Sequence, residues 1–161
     1  MPPAALSKDE LAEIEHELSH YERPSAATIE ALKIVQKHRG WVSDDAVRAI
    51  ADRLQTSAAD VDAVATFYNL IFRKPVGRHV IFVCDSMSCY VMGMDGLRAK
   101  LEKKLGIRYG QTTPDDRFTL LPICCLGTCD RAPALLIDRD THRNLENLSE
   151  QSLDELLAGY P

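Results

Sequence analysis

The sequence predicts an α+β protein, in which an N-terminal helical bundle (residues 1–75) precedes an α/β domain with a small mixed sheet (residues 76–161). Three observations predict this fold class. Helix-capping signals and apolar residues at helical spacing recur through the first half. The pattern changes at Pro75-Val76-Gly77. Beyond that point, short apolar runs alternate with helical segments, which is typical of a sheet covered by helices.

Amphipathic helices account for the first half. Ser7–Glu10 has the capping-box pattern, in which Glu follows Ser after three residues, and Leu11, Ile14 and Leu18 continue at helical spacing. Gly40 is a typical C-terminal stop for the second helix. Four short helices in about 65 residues indicate a small bundle. The other three helices are predicted to start at Pro24–Ser25, Ser43 and Ser57.

Strands are the distinguishing feature of the second half. His79–Val83 and Phe118–Pro122 are short apolar runs, so we predict that both form buried strands. Gly96–Leu105 lies between them as a helix that ends at Gly106. Two further strands and a closing helix are predicted at Ala134–Ile137, Asn144–Leu148 and Ser149–Leu157.

Composition excludes several classes of protein. The chain has 161 residues, a net charge of −5 and 45% hydrophobic residues, and it carries no basic run that would favour nucleic acid. No apolar segment approaches the roughly 20 residues that span a bilayer, and the acidic N-terminus lacks a hydrophobic signal core. We therefore expect a cytoplasmic protein that does not insert into the membrane. Five cysteines in that compartment indicate metal or redox chemistry.

Four of the cysteines form two close pairs. Cys84 and Cys89 are separated by four residues, and Cys125 and Cys129 by three, with 35 residues between the pairs. Each pair follows an apolar, strand-like run. Because a two-iron cluster has two terminal thiolate positions on each iron, two such loops can present one pair to each iron. The spacing predicts a [2Fe–2S] site with four cysteine ligands.

Other cysteine chemistries fit the pattern less well. Structural zinc and dithiol exchange both favour CxxC, which the chain lacks. A Rieske centre needs two histidines, and none of the five histidines adjoins a cysteine pair. The spacing leaves one point open, because Cys124 and Cys129 are separated by four residues, as Cys84 and Cys89 are. Spacing alone does not choose between Cys124 and Cys125.

The motifs CDSMSC and FTLLPICCLGTCDRAP, together with the helix-rich first half, resemble the thioredoxin-like [2Fe–2S] ferredoxin family of bacterial respiratory complex I. The resemblance covers nearly the whole chain and implies a helical bundle followed by a thioredoxin-like domain. It also implies that the second pair is the C-L-G-x-C motif, which leaves Cys124 as a packing residue outside the ligand set. The implied ligands are Cys84, Cys89, Cys125 and Cys129.

The resemblance further implies partners and a location. Family members lie beside a larger subunit that carries FMN and binds NADH, among other peripheral-arm subunits, with one cluster near the flavin. The assembly lies on the cytoplasmic side of the inner membrane. The chain itself has no G-x-G-x-x-G fingerprint and no P-loop, so we expect it to be a subunit of an NADH:quinone oxidoreductase without a complete active site of its own.

Three alternatives remain open from the sequence. The nearest is the equivalent subunit of an NAD-linked hydrogenase or formate dehydrogenase. A free ferredoxin carrier is the second, and a zinc-stabilised interaction module, from a different class of protein, is the third. Metal content separates the last from the others, and co-purifying subunits separate the rest.

A few other residues have specific expectations. Gly127, inside the second cysteine pair, can adopt φ > 0 and turn amide N–H groups toward sulfur. The Ala132–Pro133 bond precedes a strand at the place where thioredoxin-like sheets often have a cis proline, and the sequence leaves its isomer open. Four aromatic residues are expected to pack in the core or between domains rather than form a partner surface: Trp41, Phe67, Tyr68 and Phe72.

Overall fold

The computed structural model describes residues 5–161, which divide into two compact units. The first unit ends at Pro75 and the second begins at Val76. Within the described residues there are seven α-helices and one five-stranded mixed sheet, so the predicted α+β class is confirmed. None of these helices is both long and apolar enough to cross a lipid bilayer.

The first unit consists of the four predicted helices. Ser7 caps the first one with a complete capping box, in which its hydroxyl accepts from the Glu10 amide (3.1 Å) and the Glu10 carboxylate accepts from the Ser7 amide (2.7 Å). Gly40 ends the second helix in the left-handed conformation, as predicted. A short 3₁₀ turn, Pro24–Ala27, precedes that helix. The helices are α1 (Lys8–Leu18), α2 (Thr28–Arg39), α3 (Asp44–Leu54) and α4 (Ala58–Phe67).

Aliphatic side chains from all four helices form the core of the first unit, among them Ile14, Leu32, Val35, Ile50, Leu54 and Val61. The expectation of packed aromatic residues is wrong for two positions. Phe67 is 78% exposed and Tyr68 is 47% exposed, because α4 ends at Phe67 and the backbone of Tyr68 is extended. Trp41 and Phe72 are half-buried.

The second unit is built on the sheet. Its strands are β1 (His79–Cys84), β2 (Gln111–Thr112), β3 (Phe118–Ile123), β4 (Leu135–Ile137) and β5 (Asp140–His142), and its helices are α5 (Met87–Val91), α6 (Met94–Leu105) and α7 (Glu150–Ala158). The strand order is β2-β3-β1-β4-β5. β1 and β3 are parallel, and all other pairs are antiparallel. The helix α6 provides the crossover that parallel neighbours require.

The fifth strand differs from the sequence prediction. We predicted a returning strand at Asn144–Leu148, whereas the structure has it at Asp140–His142. Asp138 adopts a positive φ of 53°, so the chain reverses at once and Asp140 pairs with Ile137. Leu145 is buried, but its backbone amide donates to the carbonyl of Pro133 at 3.2 Å rather than to a strand.

Leu120 provides a test of the sheet core. It is fully buried at the centre of β3 and pairs with Ile81 of β1. We expect Leu120→Ala to lower the free energy of unfolding of the second unit by about 2–5 kcal/mol, because it leaves a cavity. Leu121→Ala, at the half-buried next position, is the matched control and should cost clearly less. Hydrogen exchange of the β1 and β3 amides would measure both, and equal losses would contradict this packing.

Candidate iron–sulfur site

The two cysteine loops begin side by side at one edge of the sheet. Cys84 is the last residue of β1, and it lies in register with Ile123, the last residue of the parallel strand β3. The amide of Asp85 extends the pairing by donating to the carbonyl of Ile123 at 3.0 Å. Because carboxyl ends of parallel strands meet at one edge, residues far apart in sequence converge there.

The first loop holds its cysteines on regular structure. Cys84 belongs to β1, and Cys89 lies within α5. The amide of Tyr90 donates to the carbonyl of Ser86 at 2.9 Å, which forms the first turn of that helix. Both Cys84 and Cys89 are buried. The five-residue helix α5, which was not predicted from the sequence, therefore fixes the separation within the first pair.

The second loop brings its cysteines together through a glycine turn. The Sγ atoms of Cys125 and Cys129 lie 3.4 Å apart, and both residues are exposed. Gly127 has a φ of 75°, and its amide donates to the Cys125 Sγ at 3.3 Å. The predicted role of this glycine is confirmed, because an L side chain rarely adopts that φ.

Backbone hydrogen bonds attach the second loop to the sheet. After Cys129, the amide of Asn144 donates to the carbonyl of Arg131 at 2.8 Å. The Ala132–Pro133 bond is cis, which resolves the isomer that the sequence left open. The amide of Cys84 then donates to the carbonyl of Ala134 at 3.1 Å. A first-loop cysteine is thus bonded directly to the segment that follows the second loop.

Each loop has one thiol with a lowered pKa and one with a raised pKa. Burial raises the pKa of Cys84, but hydrogen bonds from the Ser86 hydroxyl and from the amides of Ser86 and Leu126 outweigh it, so the net pKa is lowered. The Gly127 amide lowers the pKa of Cys125. Burial raises the pKa of Cys89, and the neighbouring Cys125 raises that of Cys129. The first-formed thiolate in each loop therefore opposes ionisation of its neighbour.

This arrangement fits an iron–sulfur cluster. Two ionised sulfurs as close as those of Cys125 and Cys129 repel each other, and soft metal cations with thiolate ligands remove that repulsion. The hydroxyl of Thr128, next to Cys129, is buried without a hydrogen-bond partner, as expected of a donor that faces a group outside the protein chain. Donor set and unpaired hydroxyl both suit a sulfur-rich cofactor.

Cys124 has a different environment from its neighbour. It is exposed, so the packing role that the resemblance implied for it is not found. Cys125, by contrast, lies near Cys129 and accepts from the Gly127 amide. The geometry therefore favours Cys125 over Cys124 as the partner of Cys129.

Fold and site together define a protein with a thioredoxin-like domain that presents paired cysteines to a metal cluster. The chain belongs to the thioredoxin-like [2Fe–2S] ferredoxin family, which it matches over residues 14–161. The resemblance found in the sequence is confirmed, and membership supports an iron–sulfur cluster as the cofactor.

Nearly full-length relatives share a single description. The chain is 63% identical to an NADH-quinone oxidoreductase subunit of Pseudomonas aeruginosa over 155 residues, which cover 96% of this chain and 92% of that one. It is 59% identical to the protein of the same name from Escherichia coli K12, with the same coverage. The protein of that name from Buchnera aphidicola is 50% identical and covered to 94%.

Solved structures support the fold alone. An NAD⁺-reducing [NiFe]-hydrogenase in its H₂-reduced state aligns with 86% of this chain at a TM-score of 0.68 and 24% identity. The air-oxidised form of that kind of enzyme gives a TM-score of 0.63, also at 24% identity. The chain spans 23% of the hydrogenase chain in each case.

Proposed function

We propose that this chain is the electron-transfer subunit of the NADH-oxidising module of respiratory complex I, and that it holds one [2Fe–2S] cluster. One observation carries the proposal: four cysteines converge at the ends of two parallel strands in a chain about 60% identical to subunits of NADH-quinone oxidoreductase. The proposed ligands are Cys84 and Cys89 from the first loop and Cys125 and Cys129 from the second.

The cluster supplies a site that takes up and releases one electron. The chain's own residues determine how that site is presented. The buried first pair keeps water from one side, while the exposed second pair leaves the other side open to a partner. The Gly127 amide, and the hydroxyls and amides around Cys84, donate to sulfur and so stabilise negative charge there.

FMN and NADH belong to a partner subunit in this proposal, because the chain has no recognisable nucleotide fingerprint. The relatives are named as subunits of NADH-quinone oxidoreductase, which supports a role within a larger assembly. In our proposal that assembly contains other peripheral-arm subunits and lies on the cytoplasmic side of the membrane. The hydrogenase alternative has a similarity below 25% identity in its favour and is the weaker candidate.

An apolar surface beside the site suits the docking of that flavin-carrying partner. It consists of four exposed residues in and just after α5: Met87 (76%), Tyr90 (57%), Val91 (72%) and Met92 (48%). Contiguous exposed apolar side chains usually mark an interaction site. Because they adjoin Cys89, a partner seated on them would lie close to the cluster.

We expect Val91→Asp to weaken binding to the flavin-carrying subunit by roughly 30-fold, or about 2 kcal/mol, because it buries an unpaired charge in the interface. Gln151→Asp is the matched control, since it adds the same charge at an exposed position in the first turn of α7, where an acid is favourable. Titration of the labelled chain into the partner subunit would measure both, and equal affinities would contradict this docking surface.

Co-purification tests the assignment to complex I. The tagged chain, expressed in its own cell from its own promoter, should be recovered with a flavoprotein that reduces quinone from NADH. Recovery with a nickel-containing or formate-oxidising enzyme would support the alternative assignment instead. Recovery as a single chain, without flavin, would support the free carrier.

A further inference from the structure

Ser86 is the serine that starts α5, and it does not cap that helix. Four other serines occupy the same position in the described helices, and the hydroxyl of each accepts from a backbone amide of the first turn. They are Ser7, Ser43, Ser57 and Ser149. The hydroxyl of Ser86 makes no such bond. It is therefore available to donate elsewhere.

The hydroxyl of Ser86 lies among the cysteine sulfurs instead. Its Oγ is 3.2 Å from the Sγ of Cys84, which is hydrogen-bonding distance for sulfur. It also acts on both loops. Burial raises the pKa of Cys89, and the Ser86 hydroxyl opposes that rise. The Gly127 amide is the main cause of the lowered pKa of Cys125, and the Ser86 hydroxyl adds to it.

We propose that Ser86 is a positioning residue whose hydroxyl donates to the Cys84 sulfur and raises the reduction potential of the cluster. The inference rests on the proposed function. One electron enters the cluster on reduction, and no bond to Ser86 forms or breaks. The added negative charge is shared by the sulfur ligands, and a hydrogen bond strengthens as its acceptor gains charge. The hydroxyl therefore stabilises the reduced form more than the oxidised form.

The test is a potentiometric titration of the full-length, cluster-loaded chain, followed by EPR of the reduced cluster. At the wild-type midpoint potential, Ser86→Ala should lower the ratio of reduced to oxidised protein by about tenfold, which is a midpoint about 59 mV more negative for one electron. Ser86→Thr keeps the hydroxyl and should stay within about twofold of wild type. Ser57→Ala, the matched loss of a helix-starting serine in the other unit, should leave the potential unchanged.

A spectroscopic signature separates donation to sulfur from a general structural effect. Pulsed EPR of the reduced wild-type protein in H₂O and D₂O should show a coupled exchangeable proton that Ser86→Ala lacks and Ser57→Ala retains. Ser86→Gly is a second variant without the hydroxyl, and glycine is well tolerated where a helix starts. Either variant that binds the cluster can report the potential.

Each outcome decides the matter. An unchanged potential in Ser86→Ala or Ser86→Gly would overturn the role of Ser86 and leave the proposed function intact. Failure of both variants to bind a cluster would also overturn it, because a residue that only positions and tunes should not be needed for binding. A wild-type chain without a [2Fe–2S] cluster would instead contradict the proposed function itself.

Discussion

Replacement of Cys84, Cys89, Cys125 or Cys129 by Ser is expected to disrupt the cluster. Each substitution replaces a soft thiolate by a hard, weakly acidic hydroxyl, so one iron loses a terminal ligand. The protein should then have little of the visible absorption of a [2Fe–2S] centre and little EPR signal after reduction. Iron and acid-labile sulfide, measured on the same samples, should fall together.

Cys124→Ser is the matched control, because it makes the same chemical change in the same loop, one residue from a proposed ligand. It should keep the cluster with its wild-type absorption and EPR. A Cys124→Ser protein without cluster would show that the second pair is Cys124 and Cys129. A fully loaded Cys125→Ser protein would contradict the proposed ligand set in the same way.

The second large effect is expected at Glu10 in the helical unit. Its side chain is 1% exposed, and its carboxylate accepts from the Arg39 guanidinium at 2.6 Å through both Nε and Nη2. Glu10→Gln keeps the shape but leaves Arg39 without its counter-charge. We expect the free energy of unfolding of this unit to fall by about 3 kcal/mol, at the lower end for a buried pair because Arg39 is 25% exposed.

Urea unfolding followed by the fluorescence of Trp41, the single tryptophan of the chain, would measure this loss. Glu13→Gln is the matched control on the same helix, since Glu13 pairs with Lys37 and His38 at the surface. Its effect should be much smaller, because exposed ion pairs contribute little. Equal losses in the two variants would contradict the importance of the buried pair.

The Glu10 pair also predicts a pH dependence. The Arg39 guanidinium, which outweighs burial, lowers the pKa of Glu10 in the folded protein. Since the unfolded chain binds a proton at higher pH than the folded one, the contribution is full above the ordinary glutamate pKa of about 4.3 and is lost as pH falls through the lower folded value. The stability difference between wild type and Glu10→Gln should therefore shrink in acid; a difference that grows would contradict this sign.

Much of this fold follows from local signals in the sequence. Ser7, Ser43 and Ser57 each combine a capping hydroxyl with apolar residues at helical spacing, so local preference and packing agree, and the helices begin where predicted. The strands β1 and β3 are short apolar runs that remain buried in the sheet. The glycine turn at Gly127 was also predictable, because few other residues adopt its φ.

Other features depend on contacts that a linear pattern does not contain. The position of β5 depends on Asp138, whose positive φ has no strong sequence signal outside glycine and asparagine. The convergence of the cysteine loops depends on the parallel pairing of β1 with β3, which spacing alone does not specify. Ser86 resembles the capping serines in sequence, and only the nearby Cys84 sulfur shows why its hydroxyl turns away from the helix.

Metal and sulfide analysis of the full-length chain, purified without oxygen from iron-replete cells, most directly tests whether its four paired cysteines hold one [2Fe–2S] cluster. Two irons and two acid-labile sulfides per chain are expected, with an EPR signal that develops on reduction. One zinc per chain, with no sulfide and no visible absorption, would contradict the cluster and support a zinc-stabilised interaction module instead.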